Sequence, residues 1–487
     1  MLAFKFFFRW TKQPFFWAAV VALIYTAVTL FITIHLLHDS YHTSAFDLGI
    51  FTQELKNTLH GQILYSPAIG GSQFMPHFSP VLLLLVPVYW FFPHPQMLLV
   101  VQGLLLGFGG YLVYVLAREY NYSHRAGLVI EGLYGINPLL WGLALFDFHT
   151  EAFVIPALLL MFLGWKKKNW IYFGLGLFFT LASKEDVVLT LAVFGVVLVI
   201  ADYWQHRKVS KISVIIFCAS VLTYSLGVLV SHLASHGEPA RILSYFSNRY
   251  TYLGQPLSVG VPLAFHTVFS MDSLFLIIAY LVPLAFIPLL SPKWSFPALL
   301  ILLSGVLSTN LGQHGELSQY QAVALPFLFI AFIKALPKVL ANPRIQYYLK
   351  ITKNRALTYT IVFMVLISLG VISEGRISIA SLPDAHDAAI NQLIALVPDN
   401  AVVTAGDFLF PHLCSRTDTY LNAVDGASLM HDSGIIKADW GFPDKDTEYV
   451  VIDVSNQLIP ASDLDIIFKH YTLIKSIDGV ELYQLDS

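Results

Sequence analysis

The sequence predicts an α-helical polytopic membrane protein of about eleven transmembrane helices, followed by a small C-terminal α/β domain. Three observations predict it. Of 487 residues, 56% are hydrophobic and only 12% are charged, against about 25% charged in soluble domains. The mean hydropathy is +0.66, which no water-facing surface accommodates. Charge is also split along the chain. From Pro383 onward there are 5 Lys/Arg and 17 Asp/Glu, so this tail carries −12 and the remainder +9.

Apolar runs near 15–37, 96–117, 126–145, 151–165, 170–183, 187–203, 212–233, 273–290, 296–308, 319–336 and 357–373 supply the spans. The first follows Lys5, Arg9 and Lys12 and is too long for a signal-peptide core, so it reads as a retained span. One further run, 78–92, is short, opens on His77-Phe78-Ser79-Pro80 and closes on Pro93-His94-Pro95. It reads as a juxtamembrane or re-entrant helix, because counting it as a span would put Arg118 and Arg125 on the wrong side. With it excluded, 18 basic residues fall on one face and five on the other. The positive-inside rule then places the N-terminus in the cytoplasm and the tail outside.

The division expected is 1–373 as a transmembrane domain with outer-face juxtamembrane segments, and 374–487 as a soluble α/β domain. In the tail, 385–397 has helical spacing and stops at Pro398-Asp399-Asn400. Residues 401–405 and 449–454 read as buried strands, and 471–477 with 480–485 as a hairpin turning at Asp478-Gly479. No internal repeat or low-complexity segment is evident. Glycine-rich phosphate loops, nucleophile elbows and HExxH are absent. Cys218 and Cys414 form no metal or redox motif, and an acidic tail gives no reason to expect nucleic acid as a partner. Nothing in the sequence sets the oligomeric state.

Orientation makes the carboxylates informative. Eleven fall in outer loops or at outer span ends (Asp39, Asp47, Glu54, Asp147, Glu151, Glu185, Asp186, Glu238, Asp272, Glu316, Glu374), two on the inner side (Glu119, Asp202), and Glu131 lies mid-span. Polar groups at membrane depth are costly and usually have a job. Asp47, held among apolar residues in Phe46-Asp47-Leu48-Gly49, suits a general base or a metal ligand; the plainer alternative is a helix cap. Asp147, His149 and Glu151 sit between two spans. Asp147 and Glu151 would share a helical face, which permits a loose metal site or a capped turn.

Lys184, Glu185 and Asp186 interrupt a run that would be about 51 Å long as one helix, so a turn is expected there. The cluster either neutralises itself or lets Lys184 bind an anion. His77 is a candidate phosphate or sugar contact. Arg241 and Arg249, among the few outer cations, point to an anionic ligand. Gln313-His314-Gly315-Glu316 and Tyr320 form a weaker polar group.

The stretches FDLGIF (46–51), HFSP (77–80), LFDFHTEA (145–152), SKED (183–186) and VPDNAVVTAGDFLFPHLCSR (397–416) resemble the membrane proteins grouped as domain of unknown function 2079. That family is similar in layout to GT-C glycosyltransferases, which take sugars from polyprenyl-phosphate donors on the outer membrane face and carry a catalytic Asp in the first outer loop. The resemblance implies a GT-C-like fold, a membrane lipid partner and a catalytic role for Asp47, as base or as organiser of a divalent ion. Whether a metal is required stays open. Asp47 stands alone where those enzymes have an acidic pair, and 313–321 departs from the family's His-Tyr pattern, so the resemblance gives Tyr320 no role. The expected activity is transfer of a sugar from a polyprenyl phosphate, with Lys184, Arg241 and Arg249 on the phosphate. His77, Asp147, His149, Glu151, Glu185 and Asp186 would position sugar and acceptor. The alternative is a transporter or lipid-binding protein. A transporter favours inverted repeats and charges on both sides.

Overall fold

The computed structural model describes residues 14–235, 248–314, 317–352, 355–373, 376–416, 419–421, 447–454 and 469–486. Arg241, Glu238, Glu316 and Glu374 lie outside the described residues.

Among the described residues, five helices are long and apolar enough to cross a membrane: Phe15–His38, Gln96–Glu119, Glu185–His206, Lys211–Ala234 and Arg355–Ser373. Three further pairs, bent by 44° to 66° at short breaks, bring the number to eight if each pair is one span. Shorter apolar helices, Trp170–Leu181 and Pro292–Leu307, add to the bundle, as does Glu151–Lys167. Among the described residues, length and composition thus support five to eight spans, and the eleven that apolar runs suggest are not confirmed. Proline and short loops break several runs into pieces under the ~20 residues that cross a bilayer upright. The 78–92 stretch is a 3-10 segment, Pro80–Leu84, and a six-residue helix, Val86–Phe91, neither able to cross.

Small residues let the spans meet backbone to backbone. Glu151–Lys167 and Trp170–Leu181 form an antiparallel pair whose turn is capped by Lys168 in the left-handed region and by Asn169, which accepts from the N–H groups of Ile171 and Tyr172. A Cβ on Gly164 would sit 2.2 Å from the backbone nitrogen of Phe173, and one on Gly176 2.4 Å from that of Met161. Only glycine permits that approach. Outside, Trp170, Ile171, Leu222, Leu233 and Phe178 are all more than half exposed, a surface that suits lipid.

The C-terminal part folds as a five-stranded sheet in the order 419–421, 403–405, 449–453, 480–485, 471–477. The first three strands run parallel and the last two form an antiparallel hairpin. Asp478 and Gly479 both have positive φ, the turn that Asp-Gly favours. The helix Ala385–Ile394 packs Ile390 and Leu393 against the sheet, its start fixed by a reciprocal Asp384–Asp387 cap.

Candidate functional site

The first long helix ends in π-helical turns over Phe31–His38, and a second π-helical piece, Ala45–Gly49, carries Asp47. Ser44 caps that piece by accepting from the N–H of Phe46, so the cap reading of Asp47 is not needed. Such wide turns re-aim side chains and recur at functional sites.

The C-terminal part grips this segment. Asp407 accepts from Ser44 Oγ at 2.9 Å and from the Ala45 N–H at 2.8 Å. Gly49 faces the ring of Phe410; a Cβ there would lie 2.5 Å from the Phe410 Cδ1 atom. Gln53 donates to the Thr419 carbonyl at 2.8 Å, Lys56 donates to that of Arg416, and Tyr41 donates to Asn391 at 2.9 Å. The tail stretch GDFLFPHLCSR therefore supports FDLGIF.

Asp147 lies in a non-helical turn, not on the face of the helix that begins at Glu151. Its Oδ2 accepts the Ser44 N–H at 2.9 Å, tying the turn to the Asp47 segment. Gln102, from Gln96–Glu119, holds the same turn. It donates to the Asp147 carbonyl at 2.6 Å and accepts from the His149 N–H at 3.0 Å. The sequence's only hint was a glutamine within an apolar run. So fixed, His149 Nε2 stands 3.1 Å from Asp47 Oδ1, the imidazole buried and the Asp47 side chain 25% exposed. Burial works against a charge on His149, but the adjacent Asp47 outweighs it and raises the pKa above its ordinary value.

Asp147, His149 and Glu151 thus turn to three different partners and form no ligand set. Among the described residues no three His, Cys, Asp or Glu side chains gather as a metal site.

The expected turn occurs at 182–184. Its charges pair with distant residues rather than with one another. Lys184 Nζ meets Glu151 Oε1 at 2.8 Å, both buried. Burial opposes the ammonium, yet Glu151 and the neighbouring carboxylates raise its pKa. Glu185 takes His77 Nδ1 at 2.7 Å and the Phe78 N–H at 2.9 Å, which fixes the start of the 78–92 stretch. Asp186 takes Arg249 Nη1 at 3.1 Å. Glu151, Glu185 and Asp186 all occupy helix first turns, where the macrodipole favours carboxylates. The backbone carbonyl of Arg249 accepts from Thr309 N–H and Ser308 Oγ, which ties it to the end of Pro292–Leu307.

Tyr320 is a residue that the sequence places only in a weaker polar group. It lies on Gln319–Ala322, held by a Ser318–Gln321 cap. Its ring centre is 5.4 Å from Lys184 Nζ and 5.0 Å from Arg249 Cζ. Beside it opens a cavity of about 330 Å³. Glu151, Asp186, Arg249 and Tyr320 line its polar end; Val187, Leu189, Val193, Leu300, Ile301 and Val323 line the rest. Asp47, His77, Asp147 and Lys184 do not line this cavity. Lys184 reaches it through Glu151, whereas Asp47 meets His149, His77 meets Glu185 and Asp147 meets the Ser44 N–H.

A family profile described as predicted membrane protein, DUF2079, matches residues 37–482. The chain belongs to the DUF2079 family. Comparison with curated proteins finds no match. Among solved structures, this DUF2079 protein is similar to ArnT from Cupriavidus metallidurans bound to undecaprenyl phosphate, with a TM-score of 0.52 and 13% identity over 95% of this chain and 97% of that one. The apo state of the same protein gives a TM-score of 0.54 and 11% identity over the same shares. At this identity the likeness is one of fold, and the fold is GT-C-like.

Proposed function

We propose that this protein is a glycosyltransferase of the outer membrane face, moving a sugar from a polyprenyl-phosphate donor to an acceptor hydroxyl with inversion. The supporting observation is the cavity. Its aliphatic walls and its Arg249 end match the two halves of a polyprenyl phosphate. The undecaprenyl phosphate in ArnT is compatible with that lipid class. The proposed arrangement has the N-terminus inside, the tail outside and 374–487 as a separate domain.

In the reaction, the acceptor oxygen bonds to the anomeric carbon as the bond from that carbon to the phosphate oxygen breaks. The electron pair leaves with the phosphate. The acceptor's proton passes to the Asp47–His149 pair, of which Asp47 is the more exposed member. Arg249, anchored by its own backbone and by Asp186, balances the departing phosphate's charge, and such electrostatic stabilisation contributes most to catalysis in a site of this kind. Lys184 acts one step back: it holds Glu151 toward the sugar. Asp147 and Glu185 hold the Asp47 segment and the His77 turn in place. Arg241 is retained as a phosphate contact on charge alone.

A lipid-binding protein without catalysis would use the same cavity, but it has no need of the Asp47–His149 pair. Native mass spectrometry of the full chain with added polyprenyl phosphate tests the lipid assignment. Wild type should retain the lipid. Leu189→Trp, which fills the cavity, and Arg249→Ala should lose it. Equal retention in all three would contradict the assignment.

A further inference from the structure

The opposite ends of the same helices carry a second cavity, of about 280 Å³, lined by Tyr120, Phe162, Trp165, Lys166, Trp294 and Lys334. It is far from the first. Glu151 opens its helix at the first site and Lys166 lies near that helix's other end, about 22 Å away at 1.5 Å per residue. Pro292–Leu307 likewise has Trp294 at this end and, just past its other end, the residues that hold Arg249.

Lysines at this face are expected from the positive-inside rule, and two of them pair with carboxylates. Lys167 pairs with Glu119 at 2.9 Å and Lys293 with Asp202 at 3.1 Å. Lys166 and Lys334 differ. Among the described residues neither lies within 4 Å of a carboxylate, and both turn toward one phenol ring. Lys166 Nζ is 4.5 Å and Lys334 Nζ 5.1 Å from the centre of Tyr120. Lys334 also sits 4.5 Å from the Trp294 ring and donates to the Tyr120 hydroxyl at 3.3 Å.

Two like charges pressed onto one ring repel each other, and the paired Lys293 adds to the field. Aromatic faces offset part of that cost; a bound anion would offset far more. The Tyr120 hydroxyl accepts from Lys334, so its own proton is left to donate to such an anion.

We propose that this cavity binds the phosphate group of an anionic phospholipid at the membrane face opposite the Asp47 site. Its chemistry is that of a phosphate seat: two ammonium groups and a phenol converge, and the indole rings of Trp165 and Trp294 belong at the headgroup level. Its volume suits a headgroup, not a whole lipid with its chains. The chains would lie along the neighbouring apolar helix surface. The proposal is independent of the transferase reading.

Native mass spectrometry and thermal unfolding of the full chain, with phosphatidylglycerol or phosphatidylcholine added, test it. Wild type should prefer phosphatidylglycerol. The pair Lys166→Gln/Lys334→Gln, which keeps the packing, should lose roughly thirtyfold of that preference, at about fivefold per cation. Lys166→Arg/Lys334→Arg should keep it, and so should Lys168→Gln/Lys350→Gln, which removes the same charge elsewhere on this face. No preference in wild type would overturn the proposal, as would an equal loss in the Lys168/Lys350 pair. Displacement of the lipid by inorganic phosphate alone would overturn the lipid assignment.

Discussion

His149 is an imidazole buried beside a carboxylate, and its titration should be visible in activity. With its pKa raised, the Asp47–His149 pair holds a proton past the ordinary histidine range and becomes a base only at higher pH. Sugar transfer should therefore rise with pH through an apparent pKa above about 6.5. Asp47→Asn removes the charge that raises it, so any remaining limb should move to lower pH; an unmoved limb would detach the two residues. The same shift acts on stability. Protonated His149 stabilises the fold fully below its unfolded pKa, and that contribution is lost as pH rises through the folded one. Glu54 offers a second case. It is fully buried on Ile50–Leu59, neither carboxyl oxygen has a hydrogen-bond partner among the described residues, and burial raises its pKa well above the carboxylate range. A carboxyl held neutral this way costs stability as pH climbs above its unfolded value. Glu54→Gln should flatten that fall in thermal unfolding between acid and neutral pH, and an unchanged pH profile would contradict the neutral assignment.

The contact between the Asp47 segment and the C-terminal part is the element on which the site depends. Gly49→Ala would drive a methyl group into the Phe410 ring and should shift Asp47 while leaving the lipid cavity alone. Turnover should fall and donor retention should not; loss of both together would mean that the fold had given way. Phe410 is fully buried, and Phe410→Ala should cost about 3 to 5 kcal/mol where the cavity cannot collapse. Some elements could be read from the sequence because their cause is local. The Asp478-Gly479 hairpin, the helix from Ala385 and the 182–184 turn are set by turn chemistry, capping and run length. Other contacts were not legible. His149 meets Asp47 across about a hundred residues, and Lys184 chooses Glu151 rather than its neighbours Glu185 and Asp186. Charge and polarity bias such pairings, but only the packing of whole helices selects them. Tyr320 and Gln102 illustrate the same limit: each is an ordinary residue in its own segment and gains meaning from what it faces.

At the scale of the whole molecule, the order of charged residues along the chain separates loops rich in carboxylates from loops rich in lysine and arginine. The number of spans is harder to read, because breaks at Pro138, between Val268 and Met271, and before Leu325 turn single apolar runs into bent pairs. The asymmetry predicts topology: cysteines introduced at Ser123 and Asn169 should be shielded from an impermeant reagent in intact cells, and labelling of either would invert the arrangement. The central claim is that Asp47 takes the acceptor's proton in a transfer from a polyprenyl phosphate. It is tested most directly by turnover of a radiolabelled polyprenyl-phosphate sugar in proteoliposomes, comparing wild type with Asp47→Asn. The account predicts turnover by wild type and a loss of roughly 10²–10⁴-fold in the variant, with folding and lipid retention unchanged. Full activity in Asp47→Asn would contradict it.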